Sequence, residues 1–388
     1  METGWHIPGI FRQDQRLSVM NCQIIAFIQS RSTHITVCAF LVVLVFLSEP
    51  LYAQDCNKDN PSDCLDGVGP AVFNPDNIRV TSTQITKRLD QSTSEKEKET
   101  AFLDTASGLG LAAGDAFQGW GGWGSFNLTN FNADIPINST VQPVASYDAH
   151  LKSFLAGIDH LFMERLVLGA AAGYEDSSVK TFYNGGSNDV SGFTIAPYLA
   201  YLINDVFNFD VSAGYSSLDY ETDRIDNISG GTIFGQFDSD RWFVTSNITA
   251  TLNREQWYVK GRIGYLYTAE NQDGYTETGP NTARTIGDRH IDLSQVSVAG
   301  EIAYNFQNIE PYVNLAYVND ISRDNGTSAG GLPGSVGSTQ PDDKDEFQFY
   351  AGLRYFNKNL SGVLEYGRII SRDTLDSQNI MLTVRYDL

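Results

Sequence analysis

The chain has 388 residues, of which 41% are hydrophobic and 12% are aromatic. That length is enough for one large domain or two smaller ones. The formal net charge of −21 argues against nucleic-acid binding, because phosphates need a basic surface. A solvated surface in long acidic loops is the simplest source of this charge.

Residues 1–53 have the pattern of a secretory signal peptide with an N-terminal extension. Their apolar run, 37–47, is too short for a spanning helix, which needs ~20 apolar residues. A segment ending in Ala53 follows the run, and we predict cleavage after this residue. The alternative is an uncleaved membrane anchor.

Residues 54–83 are rich in Pro, Asp, Asn and Gly and read as a short disordered or disulfide-clipped segment. Cys56 and Cys64 lie close together in an exported segment without a nearby histidine. We therefore predict that they form a disulfide rather than a metal site.

Residues 84–107 contain neither Pro nor Gly. They carry a Glu/Lys-rich run whose side chains can pair along a helix face. They predict a polar α-helix. A helix that is polar all round cannot sit in a dry core. It can stand in water or inside a water-filled pore.

From residue 116 to residue 388 the sequence predicts β-strands. In twelve successive segments, extended and often alternating residues are separated by turn-forming ones. The predicted strands are 116–129, 147–162, 166–180, 190–203, 207–223, 238–253, 257–275, 288–306, 309–322, 346–356, 360–371 and 378–388.

Alternation in these strands separates an apolar face from a polar one. In the last strand Ile380, Leu382 and Val384 fall on one side. Thr383 and Arg385 fall on the other. The second strand fits this pattern less well, which predicts a bulge there. One apolar and one polar face on every strand is typical of a barrel with lipid outside and water inside.

The connections between the predicted strands alternate in length. Short ones, such as 163–165 and 204–205, alternate with long polar ones, such as 130–146 and 323–345. Aromatic residues lie near strand ends, as an interfacial girdle requires: Trp120, Trp242, Trp257, Tyr267 and Tyr386. We therefore predict an all-β fold, a twelve-stranded antiparallel transmembrane β-barrel preceded by a polar α-helix.

Residues 84–388 resemble the C-terminal translocator barrel of autotransporters, the type V secretion family. The resemblance rests on the polar helix before the first strand, the Trp-Gly-Gly-Trp-Gly motif at 120–124, the Gly-Ile-Asp step at 157–159, Pro311-Tyr312 and the terminal strand. It implies that the helix threads the pore, that both ends of the barrel chain are periplasmic, and that the protein resides in the outer membrane of a Gram-negative bacterium. Its partners would be outer-membrane lipid and, during insertion, the barrel-assembly machinery.

In autotransporters a passenger of hundreds of residues precedes the helix, whereas only residues 54–83 lie between the predicted signal peptide and the helix here. The expected function is a translocator, or a stand-alone remnant with little or no passenger that displays surface loops. One alternative is a passive outer-membrane pore. A less favoured one is a lipid hydrolase, with His150 near Ser153 or His290 near Ser294.

Charged residues on polar strand faces are predicted to line the pore: Lys260, Arg262, Glu301, Arg354, Glu365 and Arg385. They could pair with one another and with the Glu/Lys run of the helix. No catalytic, metal or cofactor motif stands out, so we expect no enzyme activity and no cofactor. We also expect a monomer.

Overall fold

A computed structural model describes residues 84–85, 119–136, 144–163, 165–324, 344–357, 359–372 and 375–388. Its dominant feature is a closed β-barrel of twelve strands. The barrel strands are β1 (Trp120–Pro136), β2 (Val144–Phe162), β3 (Leu166–Thr181), β4 (Gly186–Leu202), β5 (Phe207–Ile225), β6 (Thr232–Arg254), β7 (Trp257–Gln272), β10 (Arg289–Tyr304), β11 (Ile309–Asp324), β12 (Asp345–Asn357), β13 (Leu360–Ile369) and β14 (Leu375–Asp387). A two-stranded hairpin, β8 (Tyr275–Thr276) and β9 (Thr285–Ile286), lies in the connection between β7 and β10.

Every barrel strand pairs antiparallel with its neighbours, and β1 closes the barrel by pairing with β14. This closing seam runs without interruption from Gly121, opposite Asp387, to Ala133, opposite Leu375. Because each backbone group in the wall has a partner strand, no open edge is left to face lipid. The predicted twelve-stranded antiparallel barrel is confirmed.

Side chains on the barrel strands alternate between the lumen and the outside. The outward ones are large, apolar and exposed: Phe193 is 70% exposed and Ile263 is 62% exposed. So large a continuous apolar surface would not be stable in water but suits hydrocarbon. On β5 the outward face is apolar up to Tyr215 and then changes to acidic residues, including Asp219 and Glu221. This change marks one border of the lipid-facing band.

Aromatic rings form a girdle at each border of this band. At one border Trp120, His160 and Phe162 form a contacting group, with ring centroids 4.8 Å and 4.4 Å apart. At the other border Trp242 contacts Tyr267, 4.9 Å away. Rings with an apolar body and a polar edge are suited to these two interfaces.

The two ends of the barrel differ. Tight turns join β2 to β3, β4 to β5, β6 to β7, β10 to β11 and β12 to β13, and both ends of the barrel chain lie at this same end. The Leu388 amide donates to the Trp120 carbonyl, 2.9 Å away, which brings the two ends together. In outer-membrane barrels the tight-turn end faces the periplasm, so we call it the periplasmic end and the opposite one the outer end.

The strands extend further toward the outer end than predicted. The expected nine-residue loop 181–189 is a four-residue turn at 182–185, and β6 begins at Thr232 rather than at residue 238. The predicted strand boundaries lie where the apolar face of each strand ends. Backbone pairing continues beyond the lipid band because both faces can be polar there while the hydrogen-bond ladder persists.

The bulge predicted in the second strand is wrong. β2 pairs in continuous register with both β1 and β3. The irregular pairing occurs between Ser294 and Gln295 of β10, where Ile321 of β11 is the extra residue. Alternation in β2 had looked poor because its outward face carries His150 and Lys152 outside the apolar band.

The signal peptide, the Cys56–Cys64 pair and residues 86–107 of the predicted helix lie outside the described residues. Among the residues that are described, no helix has the length and apolar character to cross a membrane.

Candidate functional site: the barrel lumen

The six charged residues predicted to line the pore all lie on inward strand faces. Five of them are buried and Arg262 is partly buried. Lys260 and Glu301 are directly opposite each other on β7 and β10. Five of the six belong to one wall, between β7 and β13, and Arg385 lies apart on β14.

Arg354 is the centre of a charged group on this wall. Its Nη1 donates to Glu310 Oε1, 2.9 Å away, and its Nη2 donates to Glu301 Oε1, 2.6 Å away. The guanidinium lies over the ring of Tyr312, 3.9 Å from the ring centroid, and the Tyr312 hydroxyl donates to Glu365 at 2.5 Å. Two Glu residues, a cation–π contact and a bridging phenol therefore hold this arginine in one orientation.

Sequence reasoning missed Glu310 and Tyr312 as members of this group. Both lie on the inward face of β11, two residues apart. The signal was available, because Ile309, Pro311 and Val313 alternate with them and face outward. The Pro-Tyr pair was noticed only as part of the family resemblance.

Arg385 belongs to a second group, beside the closing seam. Its Nη1 donates to Asp159 of β2, 2.7 Å away. Tyr198 donates to the other oxygen of this carboxylate at 2.9 Å, and Trp123 donates to the Tyr198 hydroxyl at 2.6 Å. To reach Asp159 the arginine passes over Gly121 of β1, where a Cβ would lie 2.2 Å from its Nη2. β14 and β2 are thereby linked across the first strand.

A third group, centred on Arg241, lies nearer the outer end, on the wall formed by β3 to β7. Arg241 donates to Glu175 of β3 at 2.8 Å and to Glu270 of β7 at 2.9 Å. The Tyr220 and Ser239 hydroxyls also donate to Glu270, each at 2.7 Å. Neither Glu175 nor Arg241 was singled out from the sequence.

The β8–β9 hairpin packs against β5 and β6 at the outer end. Glu277 of the hairpin connection forms a buried ion pair with Arg224 of β5, with Arg224 Nη2 2.7 Å from Glu277 Oε2. Tyr275 stacks on Phe237, 4.7 Å away, and Phe237 stacks on Tyr220, 4.6 Å away. Ionic and aromatic contacts together fix the hairpin against the β5–β6 wall.

Asp226 fastens the tip of the β5–β6 connection to the same hairpin. It accepts hydrogen bonds from Ser229, Asn281 and Thr282. Desolvation would raise the pKa of Asp226, but these hydrogen bonds to its charged form outweigh that effect and lower the pKa below its usual range.

Two residues that precede the barrel in sequence, Gln84 and Ile85, are helical and fully buried. Ile85 packs in one hydrophobic cluster with inward side chains of β1, β2, β3, β4 and β6, including Trp123, Leu155 and Tyr198. The Ser153 hydroxyl donates to Gln84 Oε1, 3.1 Å away. The chain upstream of the barrel therefore lies inside the lumen at this point.

A cavity of about 170 Å³ lies beside Gln84. Its polar lining is mainly uncharged and comes from β1, β6, β7 and β10 to β14: Asn127, Asn247, Gln295, Asn314, Gln348 and Asn379, with Arg262 and Arg368 as charged members. The lumen thus combines charged groups on its walls with a mainly uncharged polar region beside Gln84.

The histidines considered for hydrolysis lie on the outer surface. His150 is exposed and its Nδ1 is 2.7 Å from Asn130 Oδ1, whereas Ser153 is buried on the opposite, inward face. His290 contacts Asn271, and Ser294 is bonded to the Tyr265 hydroxyl instead. Within the described residues, no group of three or more His, Cys, Asp or Glu side chains could hold a metal ion.

The sequence pattern of the "Autotransporter beta-domain" family matches residues 117–367. This match covers more than half of the chain, and the protein belongs to this family. It is an autotransporter-type β-barrel of the bacterial outer membrane.

Among curated proteins, outer membrane protein B of Rickettsia rickettsii is 24% identical over 242 residues. The matched region covers 58% of this chain but 15% of that protein. Outer membrane protein B of Rickettsia japonica is 25% identical over 180 residues, covering 44% of this chain and 11% of that protein. The chain therefore matches a small part of each relative.

Solved structures show the same fold at low sequence identity. The translocator domain of the autotransporter NalP from Neisseria meningitidis has a TM-score of 0.62 at 11% identity, covering 82% of this chain and all of that one. The transport unit of AIDA-I from Escherichia coli has a TM-score of 0.50 at 10% identity, covering 76% of this chain and 99% of that one.

Proposed function

We propose that this barrel carries its own upstream segment through the outer membrane, so that residues preceding Gln84 reach the cell surface. The observation that carries the proposal is the burial of Ile85 inside the lumen, with no exposed surface. A segment that only lay beside the barrel would leave this side chain in water or lipid. Apolar side chains of the lumen wall pack against Ile85, while polar groups line the neighbouring cavity.

Surface labelling of intact cells tests this proposal. Single cysteines are introduced into a chain in which Cys56 and Cys64 are replaced by serine, and a membrane-impermeant maleimide is added. Ala71→Cys is expected to react on intact cells. Labelling of this residue only after the outer membrane is permeabilised would contradict the proposal.

Two control positions fix the topology in the same assay. Ile228→Cys, which is 67% exposed at the outer end, should react on intact cells. Glu255→Cys lies in the tight turn between β6 and β7 and should react only after permeabilisation. These controls separate a failure of export from an inverted barrel.

A passive pore is the second candidate, favoured by the cavity of about 170 Å³ beside Gln84. In this case the lumen would conduct ions without exporting a segment. Single-channel recording distinguishes the two, because a barrel occupied by its upstream segment should conduct weakly. Deleting residues 84–107 should then raise the conductance, whereas an unchanged conductance would indicate that the segment does not obstruct the lumen.

Transport rather than hydrolysis is the activity that we propose. Ser153 and His150 lie on opposite faces of β2, so they cannot form a nucleophile–base pair in this arrangement. Any lipid hydrolysis by the purified barrel should be unchanged in His150→Ala and His290→Ala variants. We further propose that the barrel works as a monomer in lipid and that the barrel-assembly machinery inserts it.

A further inference from the structure

Arg289, at the start of β10, is a buried cation on the inward face near the outer end. Its side chain is only 8% exposed, and its Nη2 is buried without a hydrogen-bond partner. Its contact within the described part of the chain is with the Phe237 ring, whose centroid is 5.8 Å from Arg289 Cζ. A buried guanidinium nitrogen without an acceptor is costly, because its N–H donors have been taken out of water.

Glu270, a carboxylate whose charge acts on Arg289, already accepts four hydrogen bonds from other side chains. Glu270 Oε1 accepts from Tyr220, Ser239 and Gln272, and Glu270 Oε2 accepts from Arg241. A rearrangement that brought Arg289 to Glu270 would have to displace one of these donors. Within the described residues, no carboxylate accepts a hydrogen bond from Arg289 Nη2.

Two more polar atoms without partners belong to the same region. Gln272 is the cross-strand partner of Arg289, and its Oε1 is buried and unpaired. Arg241 faces Glu270, two residues along β7 from Gln272, and its Nη2 is also buried and unpaired. Arg241 itself is 1% exposed. Two guanidinium edges thus remain without an acceptor, on the two strands that flank β7. The Gln272 oxygen is itself an acceptor and would not bind an anion.

We propose that Arg289, with the free edge of Arg241, forms a binding site for a single oxyanion, a carboxylate or a phosphate. Planar guanidinium donors suit both groups. Phe237 and Tyr275 form the apolar side of the site, where they exclude water and strengthen the charge-assisted hydrogen bonds. The site is separate from the Arg354 group.

The oxyanion has two possible sources. One is a free anion or an acidic glycan that enters through the outer mouth. The other is an aspartate of the protein's own segment 54–83, which carries five Asp against one Lys and one Arg. Both sources present the same chemistry to Arg289, so the experiment must separate them.

The test measures the melting temperature of the full-length barrel, folded in detergent, in inorganic phosphate and in chloride at equal ionic strength. A ligand that binds only the folded state raises the melting temperature by mass action, here by about 2–4 °C. Arg289→Gln should abolish the response. Arg254→Gln, an exposed arginine at the periplasmic end, should preserve it.

A variant with Asp55, Asp59, Asp63, Asp66 and Asp76 replaced by Asn distinguishes the sources. If the anion is external, the wild type responds to phosphate. If the protein's own aspartate occupies the site, the wild type does not respond, the five-Asn variant does, and adding Arg289→Gln removes that response.

The proposal is overturned if neither the wild type nor the five-Asn variant responds to phosphate, or if Arg289→Gln responds as strongly as its parent. Should Arg289→Gln fail to fold, Arg289→Lys replaces it. Lysine keeps the charge without the planar fork, so the response should weaken severalfold. A full response in Arg289→Lys would overturn the proposed guanidinium recognition.

Discussion

Single arginines organise the charged lumen of this barrel. Each of Arg241 and Arg354 bridges two glutamates from different strands, and Arg385 bridges β14 to β2. Buried ion pairs contribute little when compared with a well-packed apolar replacement. Removing one partner is far more damaging, because the remaining charges stay buried and unpaired.

Arg354→Met should therefore destabilise the barrel by about 3 kcal/mol, because Glu301 and Glu310 lose their shared cation. Urea unfolding of the detergent-folded protein measures this loss. Arg254→Met removes the same charge from an exposed site at the periplasmic end and should change stability by less than about 0.5 kcal/mol. Equal stability of the two variants would show that the Arg354 contacts are not stabilising.

Asp226 should make the outer mouth sensitive to acid. Its pKa is lowered in the folded protein, so its stabilising contribution is present above the usual aspartate pKa of about 3.9 and is lost as the pH falls through the lower, folded value. Hydrogen exchange of the 226–231 turn and of the β8–β9 hairpin should stay slow at neutral pH. Asp226→Asn should make both exchange faster at neutral pH, and an unchanged rate would refute this role.

At the scale of the strand, the glycines of β1 have different tasks on its two faces. Gly121 faces inward beneath Arg385, where an added Cβ would lie 2.2 Å from Nη2. Gly122 faces outward and has no atom within 4 Å of an added Cβ. Only the inward glycine is therefore required for the link between β14 and β2.

Gly121→Ala should push the Arg385 guanidinium away from Asp159 and lower the temperature at which the folded barrel unfolds in SDS. Gly122→Ala provides a matched control and should have little effect. Because both changes break the same ion pair, adding Arg385→Gln to Gly121→Ala should cost little more than either alone. Fully additive losses would mean that the glycine and the arginine act independently.

Strand alternation allowed the two faces of β14 to be predicted correctly from sequence. Strand ends were predicted less well, because the sequence marks the end of the lipid band rather than the end of backbone pairing. At Tyr215 the outward face of β5 turns polar, yet the strand continues to Ile225. Hydrogen-bond pairing beyond that border leaves no periodic apolar signal.

At the scale of the whole molecule, the outward faces form one apolar band between two aromatic girdles. Ile263→Arg places a charge near the middle of this band and should destabilise the barrel by about 2–4 kcal/mol when it is folded in lipid. Asp219→Arg lies outward on β5 beyond Tyr215 and should cost about 1 kcal/mol or less. Urea unfolding in lipid vesicles compares the stability of the two variants. Similar losses of stability in both would show that the lipid-facing band has been assigned to the wrong residues.

The lumen was only partly predictable. Polar faces identified Lys260, Arg262, Glu301, Arg354, Glu365 and Arg385 as inward. Their partners could not be assigned, because Asp159 reaches Arg385 only after the barrel closes β14 against β1. Glu175 and Arg241 are likewise separated by two intervening strands, so their contact depends on barrel curvature rather than on local sequence.

Disulfide trapping tests most directly whether the upstream chain occupies the lumen. In a chain with Cys56 and Cys64 replaced by serine, Ile85→Cys is combined with Ala171→Cys, a member of the same buried cluster. The account predicts a disulfide in protein isolated from the outer membrane, and none when Ile85→Cys is paired with Ala149→Cys, which belongs to a different cluster. Absence of the first disulfide, or equal formation of both, would contradict a lumen that holds residue 85 at this place.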